Sequence, residues 1–125
     1  MSGTYEPPWA PRVRALEALA DFLIARIAED EAVAKGVADP AYSDEPFELR
    51  FESFESDHTR GDAEHVQRWH PSRVLAECVA KRRIVEECRK WLDDGEGGET
   101  VATEVLLQLG TVQADHPDYR EEWRP

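Results

Sequence analysis

Three segments of the chain carry apolar residues at the three- and four-residue spacing of an amphipathic helix. The spacing predicts helices over residues 11–35, 72–92 and 100–113. Pro11 is well placed in the first turn of the first helix, and Gly36 follows its end as a left-handed cap. A helix with one apolar stripe must bury that stripe, so we expect the three helices to pack together. The chain is therefore predicted to be mainly α-helical, with about three helices.

The stretch over residues 62–92 is the most strongly patterned part of the chain. His70-Pro71 interrupts it, because the residue before a proline is pushed away from the α-helical region. A short entry helix from Asp62 is expected before this break, and the long helix begins after it. The apolar side of the long helix, with its flanks, comprises Val74, Leu75, Cys78, Ile84, Val85, Cys88, Trp91 and Leu92.

The apolar stripes of the other two helices can also be placed by residue. In the first helix the stripe comprises Val13, Leu16, Leu19, Ala20, Leu23, Ile24 and Ile27. In the last helix it comprises Val101, Val105, Leu109 and Val112. We expect both stripes to face the core.

Lys81 and Arg82 lie within or beside the stripe of the long helix. One interpretation is that their aliphatic stems cover apolar surface while their charged heads reach water. The other is an ion pair with a carboxylate of the facing helix, Glu17 or Asp21. The pattern leaves both open.

An acidic connector over residues 36–61 separates the first helix from the second. Within it, Phe47, Leu49 and Phe51 alternate with charged residues, so one short β element is predicted over residues 47–54. A lone strand leaves its backbone groups unpaired. Either the neighbouring loop or a second copy of the chain would pair with it.

The remaining segments complete a single predicted domain of residues 1–125. Residues 1–10 are an extended lead-in, and the glycine-rich residues 93–98 form a linker. Tyr119 and Trp123 lie close to the C-terminus, so we expect the tail, residues 114–125, to dock on the body of the domain.

The charge of the chain restricts its partners. The sequence has 27 acidic and 15 basic residues, a formal net charge of −12. Direct nucleic-acid binding is therefore not expected, because phosphate contacts need clustered Lys and Arg. Residues 29–57 hold ten acidic and two basic residues, whereas residues 60–90 hold eight basic and five acidic ones. The acidic segment would either cap the basic helix or face a basic partner.

The two cysteines indicate a reduced environment. Cys78 and Cys88 lie ten residues apart on one predicted helix, about 15 Å, which is beyond the reach of a disulfide. Both fall on the apolar stripe, so they are interpreted as buried core thiols. With no secretory signal and no membrane span, the sequence predicts a cytoplasmic protein.

The sequence contains few groups arranged for chemistry. A metal site could use His65, His70 and His116, because imidazole and carboxylate suit Zn, Fe or Mn, but their spacing is not diagnostic. No catalytic residue and no cofactor are predicted, since a buried thiol is inert and no nucleophile or phosphate-loop motif occurs.

The leading functional hypothesis is a non-enzymatic interaction or regulatory protein that self-associates as a homodimer or binds a protein partner. The residues proposed for interaction are Phe47, Leu49, Phe51 and Trp123. One alternative is a metal-binding, hydrolytic protein built on the three histidines. Another is an acidic mimic of nucleic acid, in which residues 29–57 present charge to a basic protein.

A resemblance to a known family rests on AEHVQRWHPSRVLAECVAKRRIVEEC (residues 63–88) and ADHPDYREEWRP (residues 114–125). These passages resemble a family of small uncharacterised proteins, a domain of unknown function, found in actinobacteria and their phages. FLIARIAEDEAVA (residues 22–34) is similar to the family's opening helix. The resemblance implies an intracellular accessory protein without an assigned activity. Many members look to carry a cysteine-containing insertion where this chain has its short 93–98 linker, so a metal role based on those cysteines is in doubt here.

Overall fold

The computed structural model describes residues 5–37, 60–94 and 98–125, and in this part the chain is all-α. The helices in chain order are α1 (Ala10–Val37), α2 (Arg60–Arg68), α3 (Pro71–Asp94) and α4 (Glu99–Thr111), followed by a 3₁₀ turn at Glu121–Trp123. The described residues include no strand. The mainly α-helical prediction is therefore confirmed. The β element predicted over residues 47–54 lies outside the described residues.

The long helices begin and end within two residues of the predicted limits. The end of the first helix differs from the prediction in its conformation, because Gly36 was expected to cap the helix in a left-handed conformation. Gly36 instead lies inside the last turn of α1 without a left-handed φ, so that detail of the prediction was wrong. Helix α1 continues through the glycine because a single helical glycine costs only about 1 kcal/mol relative to alanine.

The chain divides into two compact units. The first contains Met1–Ile27 and Lys81–Pro125, and the second contains Ala28–Ala80. The limits of both units fall inside α1 and α3, which each contribute residues to both. The single-domain assignment of residues 1–125 stays a prediction.

The core of the first unit is formed by α1, α3 and α4. The buried residues of the three helices recur at helical spacing, which is why each of them forms a helix with one covered face. They are Leu16, Leu19, Ala20, Phe22, Leu23 and Ile27 from α1, Val85, Cys88 and Leu92 from α3, and Ala102, Leu106, Leu107 and Gly110 from α4. Leu19, Val85 and Leu106 are completely buried.

Gly110 sets the approach of α4 to α1. A Cβ atom at this position would lie 3.2 Å from Leu19 Cδ1 and 3.6 Å from the Tyr119 ring. Glycine therefore leaves the space that the Leu19 side chain occupies. A close helix–helix contact at this point fixes which face of α4 is turned toward the core.

The C-terminal tail packs on α1 through a group of aromatic rings. Trp123 is 2% exposed, and its indole N–H donates a hydrogen bond to the carbonyl oxygen of Ala15 at 3.0 Å. The ring of Phe22 lies 5.1 Å from that of Trp123 and 6.2 Å from that of Tyr119. Such ring pairs stabilise the contact beyond the area that they bury.

The tail covers a second face of α1, which shares Leu19 with the predicted stripe and otherwise lies beside it. Ala15, Leu19, Phe22 and Arg26 follow one another at intervals of four, three and four residues, so they lie along one side of the helix. Phe22 is buried, and the Arg26 guanidinium lies 5.2 Å above the Phe22 ring. Helix α1 thus buries one face against the other helices and an adjoining face against the tail.

An ion pair between Arg89 and Asp21 joins α3 to α1. Arg89 Nη2 lies 2.7 Å from Asp21 Oδ1, with both side chains more than a third exposed. Asp21 was one of the two carboxylates expected to pair with the long helix, and its partner here is two turns beyond Arg82. At this exposure the pair contributes about 0.2–1 kcal/mol, less than the burial of one core leucine or valine.

The second unit contains the break between α2 and α3. Helix α2 ends at Arg68, and His70 Nδ1 accepts hydrogen bonds from the Ser72 hydroxyl at 2.9 Å and the Ser72 backbone N–H at 3.1 Å. Helix α3 then begins at Pro71, as the His70-Pro71 break predicts. The Arg73 guanidinium lies 4.2 Å from the centre of the Trp69 ring and helps to hold the indole in place.

Within residues 5–37, 60–94 and 98–125, no helix has both the length and the apolarity that a membrane crossing requires.

The packing of the tail leads to a prediction about stability. Trp123→Ala should lower the free energy of unfolding by about 3–5 kcal/mol, because it empties a buried aromatic site. Trp123→Phe should cost about 1 kcal/mol, since it keeps most of the ring and removes the hydrogen bond to Ala15. Urea unfolding followed by circular dichroism measures both changes.

Trp9→Ala is the matched control, because Trp9 is 64% exposed. It should change the free energy of unfolding by less than about 0.5 kcal/mol. Equal effects at Trp9 and Trp123 would contradict the docking of the tail.

Candidate interaction surface

Helix α4 has apolar side chains on two sides. Its buried face is formed by Ala102, Leu106, Leu107 and Gly110. Val101 and Val112, the residue directly after α4, are 68% and 76% exposed, and Val105 is half-buried. At 100° per residue these three valines fall within about 40° of arc, so they form a second apolar stripe on the side of α4 away from the core.

The predicted orientation of α4 was therefore wrong. The stripe of Val101, Val105, Leu109 and Val112 was expected to face the core, but Val101 and Val112 are its most exposed members. The physical reason is the close approach at Gly110, which turns the Ala102–Leu106–Gly110 side toward α1.

Helix α3 supplies apolar side chains next to this stripe. Ile84 and Trp91 are each 43% exposed. They are seven residues apart, so they lie on the same side of the helix, at the edge of the face that buries Val85, Cys88 and Leu92. The sequence pattern predicted Ile84 and Trp91 at the flanks of the apolar stripe. Side chains at the edge of a buried helix face are usually partly exposed, as these two are.

An apolar groove of about 500 Å³ runs between α3 and α4 in the first unit. Ile84 and Trp91 form one wall, Val101 and Val105 form the other, and Cys88 and Ala102 lie between them. Glu87 and Gly98 complete the lining. A large contiguous apolar patch on the surface of a folded protein often marks a site of interaction. We refer to this feature as the α3–α4 groove.

Gly98 shapes the end of the α3–α4 groove. A Cβ atom on Gly98 would collide with three carbon atoms of the Trp91 indole. The indole therefore lies directly on the backbone at the start of α4. This contact holds Trp91 in the wall of the groove and leaves part of its ring facing outward.

The groove offers little for covalent or acid–base chemistry. Burial, together with the neighbouring Glu87 carboxylate, raises the pKa of the Cys88 thiol above its usual range. A thiol with a raised pKa is mostly protonated near neutral pH and is therefore a poor nucleophile. We accordingly assign Cys88 a packing role in the lining of the groove. Cys78 and Cys88 are both buried, as their place on the stripe predicts.

The three histidines considered for a metal site have different surroundings. The ring of His65 lies 6.3 Å from that of Trp69, and His70 caps the start of α3. His116 Nδ1 accepts a hydrogen bond from the Asp118 backbone N–H at 3.0 Å, and the Arg26 guanidinium contacts Nε2 of the same ring. A guanidinium in contact with an imidazole repels a metal cation from that ring.

Among residues 5–37, 60–94 and 98–125, no group of three His, Cys, Asp or Glu side chains is close enough to hold a metal ion. No observation in this part of the chain therefore favours the metal hypothesis over the interaction hypothesis.

The residues predicted for interaction fall into two groups. Phe47, Leu49 and Phe51 lie outside the described residues. Trp123 is buried against α1 within the chain, and its role toward a partner stays a prediction. The groove residues Ile84, Trp91, Val101 and Val105 were not among the predicted interaction residues. One feature of the sequence could have revealed them. Helix α4 contains more apolar residues than a single stripe can hold, so some of them had to lie outside the core.

A second, smaller apolar hollow of about 360 Å³ lies in the second unit. Val33, Ala34, Val66, Trp69 and Val74 line it, together with Asp30 and Pro71. The Arg73 guanidinium already lies over the Trp69 ring and covers part of this hollow. Because the α3–α4 groove is also larger, it presents the larger apolar surface of the two.

The chain belongs to a family of unknown function. Comparison with protein-family models matches residues 16–125 to the Family of unknown function (DUF6221). The matched residues include α3, α4 and the C-terminal tail. This confirms the resemblance to a family without an assigned activity. Comparison with curated proteins finds no match, and comparison with solved structures finds none either.

The contact between Gly98 and Trp91 can be tested by substitution. Gly98→Ala should lower the free energy of unfolding by about 1–3 kcal/mol, because the added methyl group forces the indole to move. The same variant should change the acrylamide quenching of tryptophan fluorescence, which reports the accessibility of the ring.

Gly36→Ala is the matched control, because a Cβ atom there would meet nothing within 4 Å. It should stabilise the chain by about 0.5–1 kcal/mol through helix propensity alone. If both glycine variants behaved alike, Gly98 would not position Trp91.

Proposed function

We propose that this chain is a non-enzymatic interaction protein and that the α3–α4 groove is its docking surface for another protein. The observation that supports the proposal is the second apolar stripe of α4, which continues across the groove to Ile84 and Trp91. Burying a side chain of this kind contributes about 1.5–3 kcal/mol. Ile84 and Trp91 are 43% exposed, so a partner that covers both walls would gain part of this contribution from each side chain.

The composition of the groove favours protein binding over catalysis. Its lining is apolar except for one carboxylate, Glu87, which pairs with Lys90 at 3.5 Å on the exposed side of α3. Protein interfaces combine an apolar centre with a polar rim, and tryptophan is enriched among the residues that contribute most to binding.

The broader setting is part of the same proposal. The resemblance at residues 63–88 and 114–125 supports a regulatory accessory protein of an actinobacterium or of an actinobacterial phage. The reduced, buried thiols of Cys78 and Cys88 support a cytoplasmic location.

Site-specific photocrosslinking in cells tests the docking surface. A benzophenone amino acid replaces Ile84 or Val101 in the groove, and the control position is Glu99. Glu99 is exposed and on the same helix as Val101, but points about 160° away from it. We expect discrete protein adducts from positions 84 and 101 and not from position 99.

Val105→Glu is introduced into each crosslinking chain as a second control, because a carboxylate in the wall should prevent docking. Loss of the adducts in this variant would support the groove as the contact surface. Adducts that form equally at all three positions, or that persist with Val105→Glu, would contradict the proposed function.

A further inference from the structure

We infer that the C-terminal tail is a pH-sensitive latch on α1, held closed while the imidazole of His116 is neutral and loosened when that ring takes up a proton. The inference concerns residues 114–125 and the side of α1 that includes Phe22, so it goes beyond the proposed function of the α3–α4 groove. It rests on the hydrogen-bond donors and the positive charge that surround one partly buried ring.

Both ring nitrogens of His116 face hydrogen-bond donors. The backbone N–H of Asp118 points to Nδ1 at 3.0 Å, and the guanidinium of Arg26 contacts Nε2. A neutral imidazole has one nitrogen that can accept a hydrogen bond, whereas an imidazolium has none. Protonation of His116 therefore removes the acceptor that this ring offers to its two donors.

The charge of Arg26 adds to this effect. A guanidinium stays protonated throughout the physiological range. The group is held next to α1, with its central carbon 5.2 Å from the centre of the Phe22 ring. Its contact with His116 is partly buried, where water screens charges less than at the surface. A proton on the imidazole would bring two positive charges into contact, which is unfavourable.

The other charged groups around the ring are acidic and exposed. Asp115 and Asp118 are its neighbours in the tail, and both side chains face water. Water weakens the attraction of an exposed carboxylate for a charged ring. Helix α4, which meets the tail at Gly110, has no charged residue after Glu104. The group in direct contact with the ring, Arg26, therefore has the larger effect.

The His116 ring belongs to the group of aromatic side chains that holds the tail. The Phe22 ring lies 5.4 Å from that of His116, at an angle of 77°, and it also contacts Tyr119 and Trp123. An outward movement of His116 removes one of the contacts that hold the tail against Phe22. Protonation of a single ring is thereby transmitted to the anchor of the tail, Trp123.

The Tyr119 hydroxyl limits how firmly the tail is held. It is buried, and no hydrogen-bond partner for it occurs among residues 5–37, 60–94 and 98–125. Burying a polar group without a partner is unfavourable, and the group regains its hydrogen bonds in water. Release of the tail therefore relieves an unfavourable contact at Tyr119 as well as at a protonated His116.

The direction of the pH dependence follows from these contacts. Release places the ring in water, away from Arg26, where the protonated form is no longer disfavoured, so release takes up a proton. Histidine changes its charge between about pH 5 and pH 8. Docking of the tail should therefore be strongest at the upper end of this range and should weaken as the pH falls. Uptake of one proton corresponds to a change of up to about tenfold per pH unit in the docking equilibrium.

Hydrogen exchange of the Trp123 indole N–H, followed by NMR, measures this equilibrium. The group is protected by its hydrogen bond to the Ala15 carbonyl oxygen while the tail is docked. After correction for the intrinsic effect of pH on exchange, the protection should fall at least about tenfold from about pH 7.5 to about pH 5.5. Circular dichroism over the same range establishes that the helices are retained.

His116→Gln tests the assignment to this ring, because glutamine can accept a hydrogen bond and carries no charge at any of these pH values. The protection of Trp123 in this variant should change by less than about twofold over the same range. His65→Gln is the matched control, since His65 is exposed and lies on α2 beside Trp69. It should keep the full fall.

Arg26→Gln provides a second variant that leaves the imidazole in place. Without the facing charge, the fall in protection should be less than about threefold. Protection of Trp123 that does not fall on acidification would overturn the inference. So would a full fall in His116→Gln or in Arg26→Gln.

Discussion

Helix α4 carries more apolar side chains than one buried face can hold, and this excess determines how the first unit is built. The Ala102–Leu106–Gly110 side packs into the core because Gly110 leaves room for Leu19 of α1. Once that contact is made, Val101 and Val112 must point outward. The exposed stripe of α4 follows from that close approach, and the contact of Trp91 with Gly98 completes the α3–α4 groove.

Helix α1 meets the same constraint and satisfies it within the chain. Its second face, which includes Phe22, is covered by the C-terminal tail through Trp123 and Tyr119. The second stripe of α4 has no such cover in the part of the chain that the structure describes. The uncovered apolar stripe of α4 is therefore available to a partner, whereas the second face of α1 is not. The tail shows how this chain covers apolar helix faces, and a second molecule would do the same for α4.

Apolar burial outweighs charge as the source of stability in this arrangement. The exposed pair between Arg89 and Asp21 contributes about 0.2–1 kcal/mol, whereas a buried tryptophan contributes several times as much. The groove walls follow the same rule, because their exposed apolar side chains, Ile84, Trp91 and Val101, provide the favourable free energy for a partner.

Periodicity was enough to predict the helices, and their ends differ from the prediction by no more than two residues. It was not enough to orient α4, because a helix with valines on one side and leucines on the other presents two stripes that fit the same period. The choice depended on Leu19 and Gly110, which are 91 positions apart in the sequence. The docking of the tail followed from Tyr119 and Trp123. Its receiving residue, Phe22, lay off the predicted stripe of α1 and was missed.

The most direct test of the central claim is the solvent accessibility of the exposed methyl groups in solution. Paramagnetic relaxation of the Ile84 and Val101 methyl signals by a soluble gadolinium chelate would be measured, with the exposed Val33 and the completely buried Leu106 as references. The account predicts that Ile84 and Val101 relax nearly as strongly as Val33. Relaxation as weak as that of Leu106 would contradict it.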